Sequence, residues 1–296
     1  MKILITGANG YVGMGLLKNL RLKEHEIIPV GFDVGYNLNN FHNLDLSEIS
    51  KACAYIENVQ PDVIIHLAGN KDVAKCESDK VFSRKINYEI SKNIVEQCAV
   101  RKIRLIYIST DYVFNGMGGS YSEVSCPMPT TQYGKDKLAV ENMAVKVLSN
   151  CAIVRSAGIF GLKNDFVGTV IGSLKTKSSF NAYTNLINSP TFIKDLSSML
   201  QLIVIKGYTG IFHCAGSESI SRYNFAVKIS KVFGFERSLI VPEKLNLSND
   251  IRPSNLSMDC EKTYKKLGYY PEDIESILCS HVDTWKEPLY SKGCSK

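Results

Sequence analysis

The stretch Lys2-Ile3-Leu4-Ile5-Thr6-Gly7-Ala8-Asn9-Gly10-Tyr11-Val12-Gly13 decides the fold. A short β-prone run enters a turn with three glycines, and a helical stretch begins at Tyr11. In that setting each glycine has its own task. Gly7 permits the tight turn, Gly10 lets a pyrophosphate approach the main chain, and Gly13 lets helix and strand pack closely. The N–H groups exposed at the helix start then hold the anion.

Working outward, apolar β-branched runs alternate with longer amphipathic stretches, the pattern of a parallel sheet wrapped by helices. The sequence predicts strands at Lys2–Thr6, Glu26–Val30, Val63–Leu67, Arg104–Ser109 and Ala152–Arg155. Helices are predicted near Tyr11–Lys23, Ser47–Asn58, Ser78–Val100 and Thr131–Leu148, with Ser47 and Ser78 as N-caps. After Phe160 the signal weakens: 163–183 is mixed, Ile193–Ile205 reads helical, and Gly210–Cys214 reads as a late strand. The expected fold class is α/β, a doubly wound parallel-sheet Rossmann domain; a smaller C-terminal α/β substrate lobe is what the family resemblance described below implies. Residues 1–160 and about 187–216 would form the dinucleotide-binding domain. Residues about 161–186 and 217–296 would form the lobe, built from excursions of one chain.

With 296 residues, 45% hydrophobic and 22% charged, the composition is globular and excludes disordered and fibrous classes. No apolar run is long enough to span a bilayer, and the first residues turn polar too early for a signal-peptide core, so the expected compartment is the cytoplasm. Nine cysteines without a C-x-x-C pair read as reduced thiols used mostly in packing. Residues 1–150 hold 17 Lys+Arg against 16 Asp+Glu, and residues 151–296 hold 18 against 13. The basic excess therefore lies in the second half. It forms no long basic block and no aromatic-interleaved stripe, which argues against nucleic acid and suits a small anionic substrate. The five histidines lack H-x-x-x-H spacing, so no metal is expected; His66 and His213, inside apolar strands, read as packed, hydrogen-bonded side chains.

Tyr133-Gly134-Lys135-Asp136-Lys137 sets a phenol and an ammonium four residues apart on one helical face. A free tyrosine titrates near pH ~10, so proton transfer near neutrality calls for a positive charge beside it. Lys137 supplies that charge and can also hold a cofactor ribose. The strand Leu105–Ser109 ends in hydroxyls at its carboxyl end, where open α/β sheets place ligands. There Thr110 can share a carbonyl oxygen with Tyr133, giving two donors aimed at the charge that develops when hydride arrives. Cofactor choice between NAD and NADP stays open. Gly31 stands where a ribose-binding acid is expected, Asp33 comes two residues late, and no Arg or Lys waits nearby for a 2′-phosphate. Asp45-Leu46 reads either as an adenine-edge contact or as a plain cap. The loop 115–119 reads as mobile, either closing over substrate or simply lying on the surface.

These features together resemble the extended short-chain dehydrogenases/reductases, a type to which the G-x-x-G-x-x-G spacing also points. Within them the chain is similar to the dTDP-4-dehydrorhamnose reductase family. The likeness runs through nearly the whole chain and is carried by Val73–Asp79, Ser109–Gly116, Tyr133–Lys137, Ser189–Asp195, Gly210–Gly216 and Arg252-Pro253. It implies reduction of a 4-keto-6-deoxy nucleotide sugar by NAD(P)H, by a homodimer. It places Gly7, Gly10, Tyr11 and Val12 on the pyrophosphate, Asp45 and Leu46 on the adenine, and Leu67, Ala68 and Gly69 at the cofactor's middle. Thr110, Tyr133 and Lys137 would be the catalytic triad, Asp111 would lie beside the sugar, and Arg252 or Arg222 would meet the diphosphate.

The chain departs from that pattern at Gly158, where the family carries a tryptophan against the sugar. Its only tryptophan is Trp285. Two alternatives stand beside the reductase reading. One is an enzyme that also epimerises, which is disfavoured because Asp111 stands where the fucose-synthase branch has a cysteine, leaving Cys126 or His213 as the remaining proton-transfer candidates. The other is a regulatory subunit, because the methionine adenosyltransferase β subunit resembles the same family.

Overall fold

The computed structural model describes residues 1–21, 24–32, 40–246 and 250–286. Its strands are β1 (Lys2–Thr6), β2 (Glu26–Gly31), β3 (His42–Asn43), β4 (Val63–His66), β5 (Arg104–Thr110), β6 (Cys151–Ser156), β7 (Phe180–Tyr183), β8 (Ile187–Asn188), β9 (Gly210–His213), β10 (Ile220–Ser221) and β11 (Ile240–Glu243). Seven of them form one parallel sheet in the order β3-β2-β1-β4-β5-β6-β9. The direction of winding reverses between β1 and β4, so the crevice that takes ligands opens at their carboxyl ends.

Alternation along each strand builds two cores. Ile3, Ile5, Val63, Ile65 and Ile106 point to one face, and Leu4, Ile64, Leu105 and Tyr107 to the other, each face covered by helices. Both faces are buried, which is why these strands read as near-continuous apolar runs. Outside the main sheet stand two small sheets, β7 parallel with β11 and β8 antiparallel with β10, the second joining a strand from the segment 187–216 to one from the segment after 217.

Several expected boundaries move. The first helix ends at Asn19, four residues early. Ser47 does not cap the helix Ile49–Val59; its own N–H donates to Asp45 Oδ1 at 2.8 Å, so Asp45 closes the turn that precedes it. The long helix expected over 78–100 is a broken series: Val73–Ser78 capped by Asp72, Lys80–Ser83 capped by Asp79, a π-helical turn Arg84–Glu89, then Ile90–Arg101. Apolar periodicity continues through such a break, which hides it from sequence. The loop 115–119 is tied down rather than free. Gly116 O accepts from Ser254 Oγ (2.9 Å) and Asn255 N (3.0 Å), and Asn115 Oδ1 accepts from Met117 N (3.1 Å) and the Tyr121 hydroxyl (2.7 Å).

Candidate active site

A cleft of about 580 Å³ opens beside the glycine turn. Gly7, Gly10, Tyr11, Val12, Gly13, Leu67 and Gly69 line it, and Thr110, Asp111, Tyr133 and Lys137 line the same cleft. Gly7 has φ +66°, and a Cβ there would stand 2.8 Å from the Ala68 backbone. A side chain on Gly13 would strike the Gly7 carbonyl. The turn is therefore shaped by main chain alone, as a cradle for a dinucleotide pyrophosphate must be. Ala68 supports Gly7 from beneath instead of lining the cleft.

Tyr11 is fixed in the cleft wall. Its hydroxyl donates to Asp165 Oδ2 (3.3 Å) and accepts from Leu162 N (3.1 Å), while the Lys71 ammonium lies 4.8 Å from its ring centroid. Asp165, the N-cap of the helix Phe166–Lys175, also takes the Trp285 indole N–H at 3.2 Å. Trp285 is thus buried outside the cleft and does not replace the wall missing at Gly158. Asp45 and Leu46 are not among the residues lining this cleft; Leu46 packs in the second core. Asp33 falls outside the described residues. Gly31 has a local reason: a Cβ there would collide with the Asn9 side chain, whose Nδ2 donates to the Phe32 carbonyl at 3.1 Å.

The helix Gln132–Val147 is capped by Thr131, whose Oγ1 accepts from Gly134 N at 3.1 Å. Each residue of the Y-G-K-D-K stretch except Lys135, which faces solvent, has a structural reason. Gly134 packs so tightly on the Tyr112 carbonyl that any side chain would collide. Asp136 is fully buried and accepts from Ser83 Oγ (2.7 Å) and Gln132 Nε2 (3.0 Å), tying this helix to the broken series. That leaves Tyr133 and Lys137 facing the end of β5. Asn87, in the π-helical turn, accepts from Asn70 N at 2.8 Å and lines the cleft. Its helical neighbours Ser83, Arg84, Ile90 and Ser91 are mixed in character, so no local pattern marked it.

Lys137 Nζ donates to Ile108 O at 2.5 Å and sits 4.1 Å from the Tyr107 ring centroid. Burial pulls its pKa down to about 7, and Glu141, one turn later, holds it up. Burial raises the Tyr133 pKa above the ordinary phenol value; the Thr110 hydroxyl is the strongest influence in the other direction. Thr110 Oγ1 in turn donates to Asp111 Oδ1 at 2.9 Å. Asp111 is buried and its pKa rises to about 7, opposed by the Thr110 hydrogen bond and by the Arg222 charge. A folded pKa raised above the unfolded one gives stability that is full below about pH 4 and lost as pH rises through about 7. Asp111→Asn is therefore expected to raise Tm by about 3 °C at pH 8 and to leave it nearly unchanged at pH 4. Thermal melts at the two pH values check this.

The two arginines separate. Arg222 lines the cleft beside Asp111, its guanidinium 4.7 Å from the Phe166 ring centroid. Arg252 is paired with Asp250 (2.7 Å) over Tyr183 and is not among the cleft-lining residues, although Pro253 is. His66 bridges Thr6 Oγ1 (2.7 Å) and Ser91 Oγ (3.0 Å) in the core, where burial lowers its pKa to about 3. His213 Nδ1 meets the Tyr121 carbonyl at 3.0 Å. Cys126 lies on a separate cavity of about 370 Å³ with Glu123, Glu141 and Arg155. Neither His213 nor Cys126 lines the cleft that holds Thr110 and Tyr133.

Behind the helix Gln132–Val147 lies a buried ion pair. Arg155 Nη2 and Nε donate to the Glu141 carboxylate at 2.6 and 3.1 Å, joining that helix to β6, where Arg155 pairs in register with Ser109 of β5.

Comparison with known proteins gives the same frame. The chain is 28% identical to the dTDP-4-dehydrorhamnose reductase of Aggregatibacter actinomycetemcomitans, with 94% of this chain and 97% of that protein covered. It is 29% identical to methionine adenosyltransferase 2 subunit beta of Xenopus tropicalis, covering 89% of this chain and 82% of that one. The crystal structure of the Bacillus anthracis dTDP-4-dehydrorhamnose reductase in complex with NADP superposes with a TM-score of 0.85 at 26% identity, over 95% of this chain and 98% of that chain. The family model described as RmlD substrate binding domain matches residues 1–286, and the chain belongs to that family.

Proposed function

We propose that the protein reduces the ketone of a 4-keto-6-deoxy nucleotide sugar, using NADPH or NADH. The observation that carries this reading is the meeting of Thr110, Tyr133 and Lys137 at the carboxyl edge of the sheet, in the same cleft as the glycine cradle. When bound, the nicotinamide supplies the hydride. The chain does the rest. The N–H groups after Gly7 hold the pyrophosphate, and Lys137 holds the ribose while its charge steadies the phenol's oxygen. Tyr133, kept protonated by its raised pKa, donates its hydrogen to the alkoxide forming on the sugar, and the Thr110 hydroxyl orients the same oxygen. Arg222 answers the diphosphate or the carboxylate of Asp111. The family likeness supports a homodimer working in the cytoplasm, where these substrates are made.

Incubation of the purified chain with NADPH or NADH and dTDP-4-dehydrorhamnose is expected to show loss of the reduced cofactor's absorbance. Tight NADP binding with no oxidation against any 4-keto-6-deoxy nucleotide sugar would instead favour a regulatory subunit, the reading that goes with the likeness to methionine adenosyltransferase 2 subunit beta.

A further inference from the structure

Gly158 follows β6 by two residues and adopts φ +40°; both it and Asn188 line the cleft. An ideal Cβ on Gly158 would lie 2.5 Å from Asn188 Nδ2, so the carboxamide occupies the space above the glycine. Asn188 is held there by its neighbours. It pairs with Ile220 across the β8–β10 ribbon, Ile187 N donates to Ser254 O at 2.7 Å, and Leu256 N donates to Ile187 O at 2.9 Å. Yet among the described residues no hydrogen bond reaches the Asn188 side chain. A rigidly mounted amide with free hydrogen-bonding capacity, facing a cleft, is placed for a ligand.

Its position says which part of the ligand. Ser156 stands in register with Thr110 on adjacent strands, and Gly158 is two residues on. The path from Thr110 to Gly158 is at most about 12 Å along the Cα atoms, and the side chains of Thr110 and Asn188 shorten it from both ends. If Thr110 holds the ketone oxygen, Asn188 reaches the same ring, while the nucleotide extends beyond. We propose that Asn188 is a specificity-determining residue whose amide hydrogen-bonds a ring hydroxyl of the sugar. This rests on the reductase reading above and deepens it. The site selects a hydroxylated ring by a polar partner where a tryptophan would select by apolar contact, and hydrogen-bonding sites reject analogues lacking the hydroxyl far more strongly than apolar ones do.

Calorimetric titration of the NADP-saturated protein with dTDP-L-rhamnose, and separately with dTDP, tests this. Asn188→Ala is expected to weaken dTDP-L-rhamnose about tenfold and to change dTDP less than twofold. Asn188→Leu fills similar space without polar atoms and is expected to do the same, which covers the case in which Ala loosens the ribbon. Equal weakening of both ligands, or unchanged affinity for the sugar nucleotide, would overturn the assignment of Asn188 to the sugar. Failure of the wild-type protein to bind either ligand would overturn this inference for a dTDP sugar, and the reductase reading falls with it only if no 4-keto-6-deoxy nucleotide sugar is reduced.

Discussion

Tyr133→Phe is expected to lower kcat by about 10²–10⁴-fold while leaving NADP affinity and Tm close to those of the wild type. The substitution removes one oxygen from a ring that packs edge-on against Tyr112 at 5.9 Å between centroids, so packing survives and only the proton donor is lost. Thr110 would still hold the substrate oxygen, but the alkoxide would have to draw its proton from water. Burial raises the phenol's pKa further above neutrality, so it rests protonated and has its hydrogen available to the alkoxide forming on the sugar. Steady-state kinetics of the variant beside the wild type decide the matter; undiminished turnover would remove Tyr133 from the chemistry.

Arg155→Met is expected to destabilise the fold by about 3–5 kcal/mol, read as a fall in the denaturant midpoint. Arg155 and Glu141 are 1% and 2% exposed, and each is the other's charge partner. Deleting one leaves the other as an uncompensated charge in the interior, which costs far more than the pair itself contributes. The double replacement Arg155→Met with Glu141→Leu should therefore recover most of the loss. It would not recover full activity, since Glu141 also supports the charge on Lys137 one turn away. A single variant as stable as the wild type would show that water reaches this pair freely.

How far the chain could be read in advance follows from which interactions are local. The run Lys2–Gly13 fixed a strand, a glycine turn and a helix, because each depends on neighbours within a few residues. The strand expected at Arg104–Ser109, which runs one residue further in the structure, and the Tyr133–Lys137 spacing were legible for the same reason: helical periodicity alone puts that pair on one face. The break at Arg84–Glu89 was not legible. It answers to Asp136 and Asn70, which are distant in sequence.

The sugar side of the cleft shows the same division. Gly158 stood out as a missing wall, yet what covers it is Asn188, thirty residues later, brought there by a two-residue ribbon too short to carry a periodic signal. Arg252 and Arg222 were indistinguishable as letters; the first pairs with Asp250, two residues before it, and only folding turns the second into the cleft. By itself the sequence determined the doubly wound sheet and the glycine turn, and put Tyr133 and Lys137 on one helical face, since short-range sterics, helical periodicity and hydrophobic alternation specify them. The tertiary structure alone decided which distant polar groups are satisfied by one another and which are left facing the ligand, because hydrogen bonds and ion pairs between elements depend on packing that no local pattern encodes.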